Sequence, residues 1–133
     1  MEESTLKYWK DAGHVARRTL EAMKLELTPG KTFHEVIEAA ERYIHRHGGK
    51  PAFPGTIAVN DLAAHFTTDH AINQVEGWDG EMVLQKGDCV KIDFGVHIKG
   101  HIADNALTFE IGNGNEHTEQ IKAAKEARDA AIE

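Results

Sequence analysis

Residues 89–111, CVKIDFGVHIKGHIADNALTFEI, decide the fold. β-Branched and aromatic residues alternate on both sides of Lys99-Gly100, which predicts two strands joined by a two-residue turn. In that register Ile98 pairs with His101 and Gly95 with Asp104. Val90, Ile92, Phe94, Val96 and Ile98 then share a face with Ala103, Leu107, Phe109 and Ile111, and that face is the predicted core. Asp93 and Asp104 fall together on the opposite face as diagonal neighbours, about 7–8 Å apart at Cα. A slip of one residue would put them on opposite faces. Lys99 is a poor first residue for a type I′ turn, which prefers Asn or Asp, so the turn is the weak point of this register.

Two carboxylates on one face of a sheet repel unless something positive lies between them, and a divalent metal ion is the usual solution. Aspartate is depleted from strand interiors, so two of them in the best strands of the chain point to a purpose. Spacing alone leaves a metal site and a pair of solvated aspartates evenly matched. Gly95, opposite Asp104, would keep that face open. Thr108 on the same face could hydrogen-bond a ligating carboxylate, or simply be a solvated strand threonine.

Upstream, Leu6, Trp9, Gly13, Ala16, Leu20, Met23 and Leu27 recur at three- and four-residue steps, predicting one long amphipathic helix capped by Ser4 and stopped by Pro29-Gly30. Gly13 and Ala16 suggest close packing on a neighbouring element. Thr32 with Glu35 forms a capping box for a second helix, whose buried face is Phe33, Val36, Ile37, Ala40 and Ile44 and whose end is Gly48-Gly49. Lys50 to Gly55 reads as an extended, turn-rich entry to a strand at 56–60. Residues 69–82 read as a polar loop with a short strand at 82–84. After Gly112-Asn113-Gly114-Asn115 a third helix runs to the last residue, with Ile121, Ala124, Ala127, Ala131 and Ile132 on its apolar side. That helix has no stop signal and no basic residue in its last turn, so it reads as a chain ending inside a helix.

The chain has 133 residues, formal net charge −7, 41% hydrophobic and 28% charged residues, which is the composition of one globular domain. The two basic spots, Arg17-Arg18 and Arg42 to Lys50, read as solvated helix faces, so no nucleic-acid footprint is evident. Cys89 is the only cysteine, which excludes an intrachain disulfide. The acidic start has the wrong charge for a signal peptide, and no apolar run reaches the ~20 residues that span a bilayer, so a cytoplasmic protein without membrane contact is expected.

GDCVKIDFGVHIKGHIADNALTF resembles the first metal-binding region of methionine aminopeptidases, and AFPGTIAVNDLAAHFT resembles their upstream substrate-pocket segment. The Ala-Ala-His-Phe form is similar to the type 2 class, as in archaeal and eukaryotic enzymes. The resemblance runs from the first helix through Gly112, and the two motifs in order are highly specific. It implies an α+β fold, one half of a pita-bread domain, with helices packed on a curved antiparallel sheet. It also implies two divalent ions (Co, Mn, Fe or Zn) held by two Asp, one His and two Glu. Asp93 and Asp104 match the two aspartates. The remaining ligands would lie in a C-terminal half, so residues 1–133 are expected to be an N-terminal half cut within its last helix. His65 matches an active-site histidine that contacts substrate without binding metal, and Phe53 matches a wall of the methionine pocket, though plain core packing explains Phe53 nearly as well. Phe66-Thr67-Thr68, the long loop around Trp78 and Asn105 depart from the family pattern, which bears on loop conformation and substrate contacts rather than on the metal.

The implied reaction is removal of the N-terminal methionine of nascent polypeptides by a metal-activated hydroxide, with Asp93 and Asp104 binding metal and His65 positioning substrate. By itself this chain is expected to be inactive, to bind metal weakly, and to self-associate through the surface meant for its other half. The alternatives are a non-catalytic binding module on the same fold, or a prolidase or aminopeptidase P relative, which share the aspartate spacing.

Overall fold

Every predicted long element forms. The protein is described by a computed structural model covering residues 3–69 and 75–132. Its elements are α1 (Glu3–Glu26), α2 (Phe33–Arg46), β1 (Lys50–Pro51), β2 (Thr56–Val59), β3 (Cys89–Ile98), β4 (His101–Glu110) and α3 (Thr118–Ile132). The fold is α+β, with an antiparallel sheet built around β3. β4 pairs with β3 along its whole length, from Cys89↔Glu110 to Ile98↔His101, and Gly95 faces Asp104 as the alternation requires. β1 and β2 both pair with β3 as well, β1 at Val96 and His97, β2 at Val90 to Asp93.

The core is the face named from the hairpin pattern. Val90, Ile92, Phe94 and Val96 are buried beneath α1 and α2, against Ala16, Leu20, Met23, Val36, Ala40 and Ile44. The capping box of α2 forms as expected: Glu35 N–H donates to the Thr32 hydroxyl, and Thr32 N–H donates to the Glu35 carboxylate. Gly48 takes φ +82° just beyond the helix end, where glycine is strain-free.

Helix α1 corrects the expected stripe. Its buried side is Ala12, Val15, Ala16, Thr19, Leu20 and Met23, whereas Leu6 and Trp9 are each 42% exposed. Nothing approaches Gly13, and the close contact is made by Ala12 and Ala16. Thr19 fits the apolar stripe because its hydroxyl donates to the Val15 carbonyl at 2.8 Å. Ser4 lies inside the helix rather than capping it. The expected strand at 82–84 reduces to a single bridge between Thr32 and Val83. Of the expected loop 69–82, residues 70–74 lie outside the described residues, as does Glu133 at the end of the chain. Helix α3 buries none of its residues, and of its expected apolar side only Ile121 is partly covered.

The weak turn residue has a physical reason. Lys99 and Gly100 take φ +49° and +82°, a type I′ pattern that costs a lysine strain. The Lys99 ammonium sits 4.7 Å from the centre of the Tyr8 ring and donates to the Tyr8 hydroxyl at 2.9 Å. The first turns of α1 are thereby tied to the hairpin tip, where the His101 ring also packs against Tyr8 and Trp9. Lys99→Asn should therefore change stability by less than about 0.5 kcal/mol in the wild-type chain, because turn relief and lost cation–π contact offset each other. In a Tyr8→Leu background the same change should stabilise by about 1 kcal/mol. Denaturant melts of the four chains check this; equal effects in both backgrounds would contradict it.

Candidate metal centre

The far face of the hairpin carries Cys89, Lys91, Asp93, Gly95 and His97 on β3, opposite Glu110, Thr108, Ala106, Asp104 and Ile102 on β4. Asp93 and Asp104 are thus brought together, as the period-two pattern requires. Asp104 is exposed and Asp93 half-buried. One carboxylate oxygen of Asp93, Oδ1, is buried without a hydrogen-bond partner. Burial raises the pKa of Asp93 above the ordinary carboxylate range, and the neighbouring Asp104 charge and its hydrogen bond raise it further, while His65 pulls it down. Lys91, two residues away on the same face, directs its ammonium to the Asn60 carbonyl at 2.8 Å. Among the described residues no lysine or arginine is ion-paired with either aspartate.

His65 acts electrostatically on Asp93, favouring its ionised form. Its segment runs along the outer edge of β2, where Ile57 N–H donates to the Phe66 carbonyl at 2.9 Å. β2 is itself paired to β3 through Thr56↔Asp93. Phe66 is fully buried, while His65 before it is exposed and leaves the extended backbone. His65 does so at φ +70°, in the left-handed region that a β-carbon disfavours.

Phe53 reaches the same face by an irregularity in the sheet edge. Pro51 faces Val96 and Thr56 faces Asp93, so the β1–β2 side has two more residues than β3 over that stretch. The excess is looped out between Pro51 and Pro54, neither of which has an N–H to give a ladder. Ala52 N–H still donates to the Gly95 carbonyl at 2.9 Å, in the register of β1, and the ladder resumes at Thr56 opposite Asp93. The Phe53 ring lies directly on Gly95: a β-carbon there would stand 2.5 Å from Phe53 Cε1 and 3.0 Å from Ala52 Cβ. Gly95 therefore does more than keep the face open beside Asp104. It is the seat of an aromatic wall next to the carboxylates.

Two aspartates, one with an orphaned buried oxygen and, among the described residues, neither ion-paired with a lysine or arginine, fit a divalent ion held by hard oxygen donors. They do not complete its coordination. Among the described residues no group of three or more His, Cys, Asp or Glu is placed to hold a metal ion. His65 acts on Asp93 without adding a third ligand to the pair. Thr108 stands on the same face opposite Lys91. The sequence reading did not foresee an aromatic trio behind His65, in which Phe66 packs with Phe33 and Trp78. Its only signal was a tryptophan in an otherwise polar loop.

Comparison with known proteins agrees with this geometry. The chain is 40% identical over 121 residues to methionine aminopeptidase of Thermococcus onnurineus, covering 91% of this chain and 38% of that one. The crystal structure of methionine aminopeptidase from Thermotoga maritima superposes with a TM-score of 0.83 at 25% identity, covering 99% of this chain and 53% of the other. The prolidase of Pyrococcus horikoshii superposes with a TM-score of 0.77 at 28% identity, over 99% of this chain and 36% of its own. The chain spans about two-fifths of the length of the curated relatives it matches. Residues 7–133 match the model of metallopeptidase family M24, and with nearly the whole length matched the chain belongs to that family.

Proposed function

We propose that this chain is the N-terminal part of a methionine aminopeptidase, one half of a pita-bread domain. In the complete protein it would remove the initiator methionine from polypeptides in the cytoplasm. The observation that carries the reading is the Asp93–Asp104 pair on one sheet face, with His65 acting on Asp93 and Phe53 seated on Gly95. No helix among the described residues is long and apolar enough to cross a membrane, which accords with this setting.

Asp93 and Asp104 would hold divalent ions, two per complete site and of the Mn, Fe, Co or Zn type, together with donors from the remainder of the relatives' length. Bound there, such ions supply a water acidified enough to attack a peptide carbonyl near neutral pH. Phe53 would flank the methionine side chain, since a thioether packs well on an aromatic ring. His65, exposed and held at the edge of the carboxylate face, would hydrogen-bond the substrate and steady the charge that develops on its carbonyl oxygen.

The test uses the complete protein with Mn or Co and a Met-Ala-Ser peptide. Methionine release is expected, with His65→Ala lowering kcat about 100-fold. By itself the 133-residue chain should release none. Cleavage of Xaa-Pro dipeptides in place of Met-Ala-Ser would favour a prolidase, and failure on both would favour a binding module.

A further inference from the structure

We propose that Trp78 is a positioning residue for His65, acting through Phe66. The role of His65 rests on the reading above, but the mechanical link does not. Trp78 stacks on Phe33, with ring centres 5.8 Å apart, and tilts onto Phe66 at 5.5 Å, while Phe33 and Phe66 meet edge to face at 6.2 Å. Phe33 is the first residue of α2, fixed from behind by its N–H donating to the Met82 carbonyl. The three rings therefore lock the 75–82 loop, the start of α2 and the residue after His65 into one unit.

Phe66 is the adjoining peptide unit to a strained backbone. A left-handed non-glycine residue reverts to ordinary φ unless its surroundings hold it. Two things hold this one: the buried Phe66 ring, and the Phe66 carbonyl accepting from Ile57 N–H. Aromatic pairs are worth about 0.5–1.5 kcal/mol each beyond burial, and the left-handed strain is of order 1–3 kcal/mol. The two Trp78 contacts are thus of the size needed to keep His65 in place. Trp78 is only partly buried, so its ring closes the trio from the solvent side rather than filling the main core.

The experiment compares Trp78→Ala and Trp78→Phe in the 133-residue chain by NMR. Amide exchange at Ile57 reports the Phe66 carbonyl bond, and the one-bond Cα–Hα coupling of His65 reports its left-handed φ. In Trp78→Ala, Ile57 should exchange at least about fivefold faster, matching the loss of two aromatic contacts. Ile92 in the core should keep its rate, and the His65 coupling should move toward the ordinary range. Trp78→Phe should restore both. Unchanged Ile57 and His65 signals in Trp78→Ala would overturn the proposal. If Trp78→Ala unfolds, Trp78→Leu replaces it, and unfolding of both would also overturn it by making Trp78 a core residue. None of these readouts depends on activity, so failure of the aminopeptidase reading would leave them unmoved.

Discussion

Asparagine in place of Asp93 should make the metal-free chain more stable at pH 7 and remove metal-dependent hydrolysis from the complete protein. The stability half follows from the sign of the pKa shift. Burial and the Asp104 charge raise the Asp93 pKa in the folded chain above its unfolded value. Folding therefore favours the protonated form. The associated stability is present below the ordinary carboxylate range and is lost as pH rises through the raised folded value. Above that raised value the ionised Asp93, with one oxygen unpartnered, is a net cost. Asparagine leaves a polar atom at the same buried point but removes the charge, so Asp93→Asn should gain about 1 kcal/mol at pH 7, the size of one close, water-screened like-charge interaction. The gap should close at about pH 3, below the ordinary carboxylate range. Thermal melts in EDTA at both pH values check it, and an equal gap at both would refute the electrostatic cause. In the complete protein the same change should lower metal-dependent methionine release more than about 100-fold, beyond the effect of altering groups that merely support a ligand.

Gly95→Ala should have the second-largest effect, and it should act through Phe53. The added carbon would stand 2.5 Å and 2.9 Å from two atoms of the Phe53 ring and 3.0 Å from Ala52 Cβ. The Ala52 contact lies where Ala52 N–H bonds the Gly95 carbonyl, so the backbone has little room to yield. The Phe53 ring must swing off the strand, at a cost of about 1–3 kcal/mol in stability. In the complete enzyme the displaced wall should raise KM for methionyl peptides roughly tenfold, as for a changed apolar pocket, with kcat less affected. Phe53→Leu in the Gly95→Ala background should recover part of the stability although Phe53→Leu alone destabilises, a non-additivity measurable by a double-mutant cycle. Additive losses would mean that the two residues are independent.

The contrast between these two sites shows what the sequence could reveal. The hairpin was legible because strict alternation over two ten-residue strands fixes register, face and turn at once. That alternation alone put Asp93 and Asp104 on one face opposite the core. The capping box of α2 was equally legible, being a local rule between Thr32 and Glu35. The α1 stripe was misjudged at its start because Leu6 and Trp9 continue a helical period although each remains 42% exposed. Tyr8 and Trp9 instead meet the hairpin tip at His101. The seat of Phe53 on Gly95 arises from two extra residues in a neighbouring strand, which no local pattern encodes. The same holds for the Phe33–Phe66–Trp78 trio, whose members come from three separate segments. Helix α3 keeps its amphipathic pattern yet buries no residue, since periodicity declares an apolar side but not what covers it.

The account turns on the Asp93–Asp104 pair being part of a divalent-cation site that this chain does not complete. Titration of the 133-residue chain with Mn²⁺, followed by paramagnetic broadening of amide signals, tests this most directly. Broadening should begin at Asp93, Gly95 and Asp104, with a dissociation constant on the order of millimolar, as for an ion left largely to water. It should vanish from those residues in Asp104→Asn. Broadening that begins elsewhere, or that persists around Asp93 in Asp104→Asn, would contradict the account.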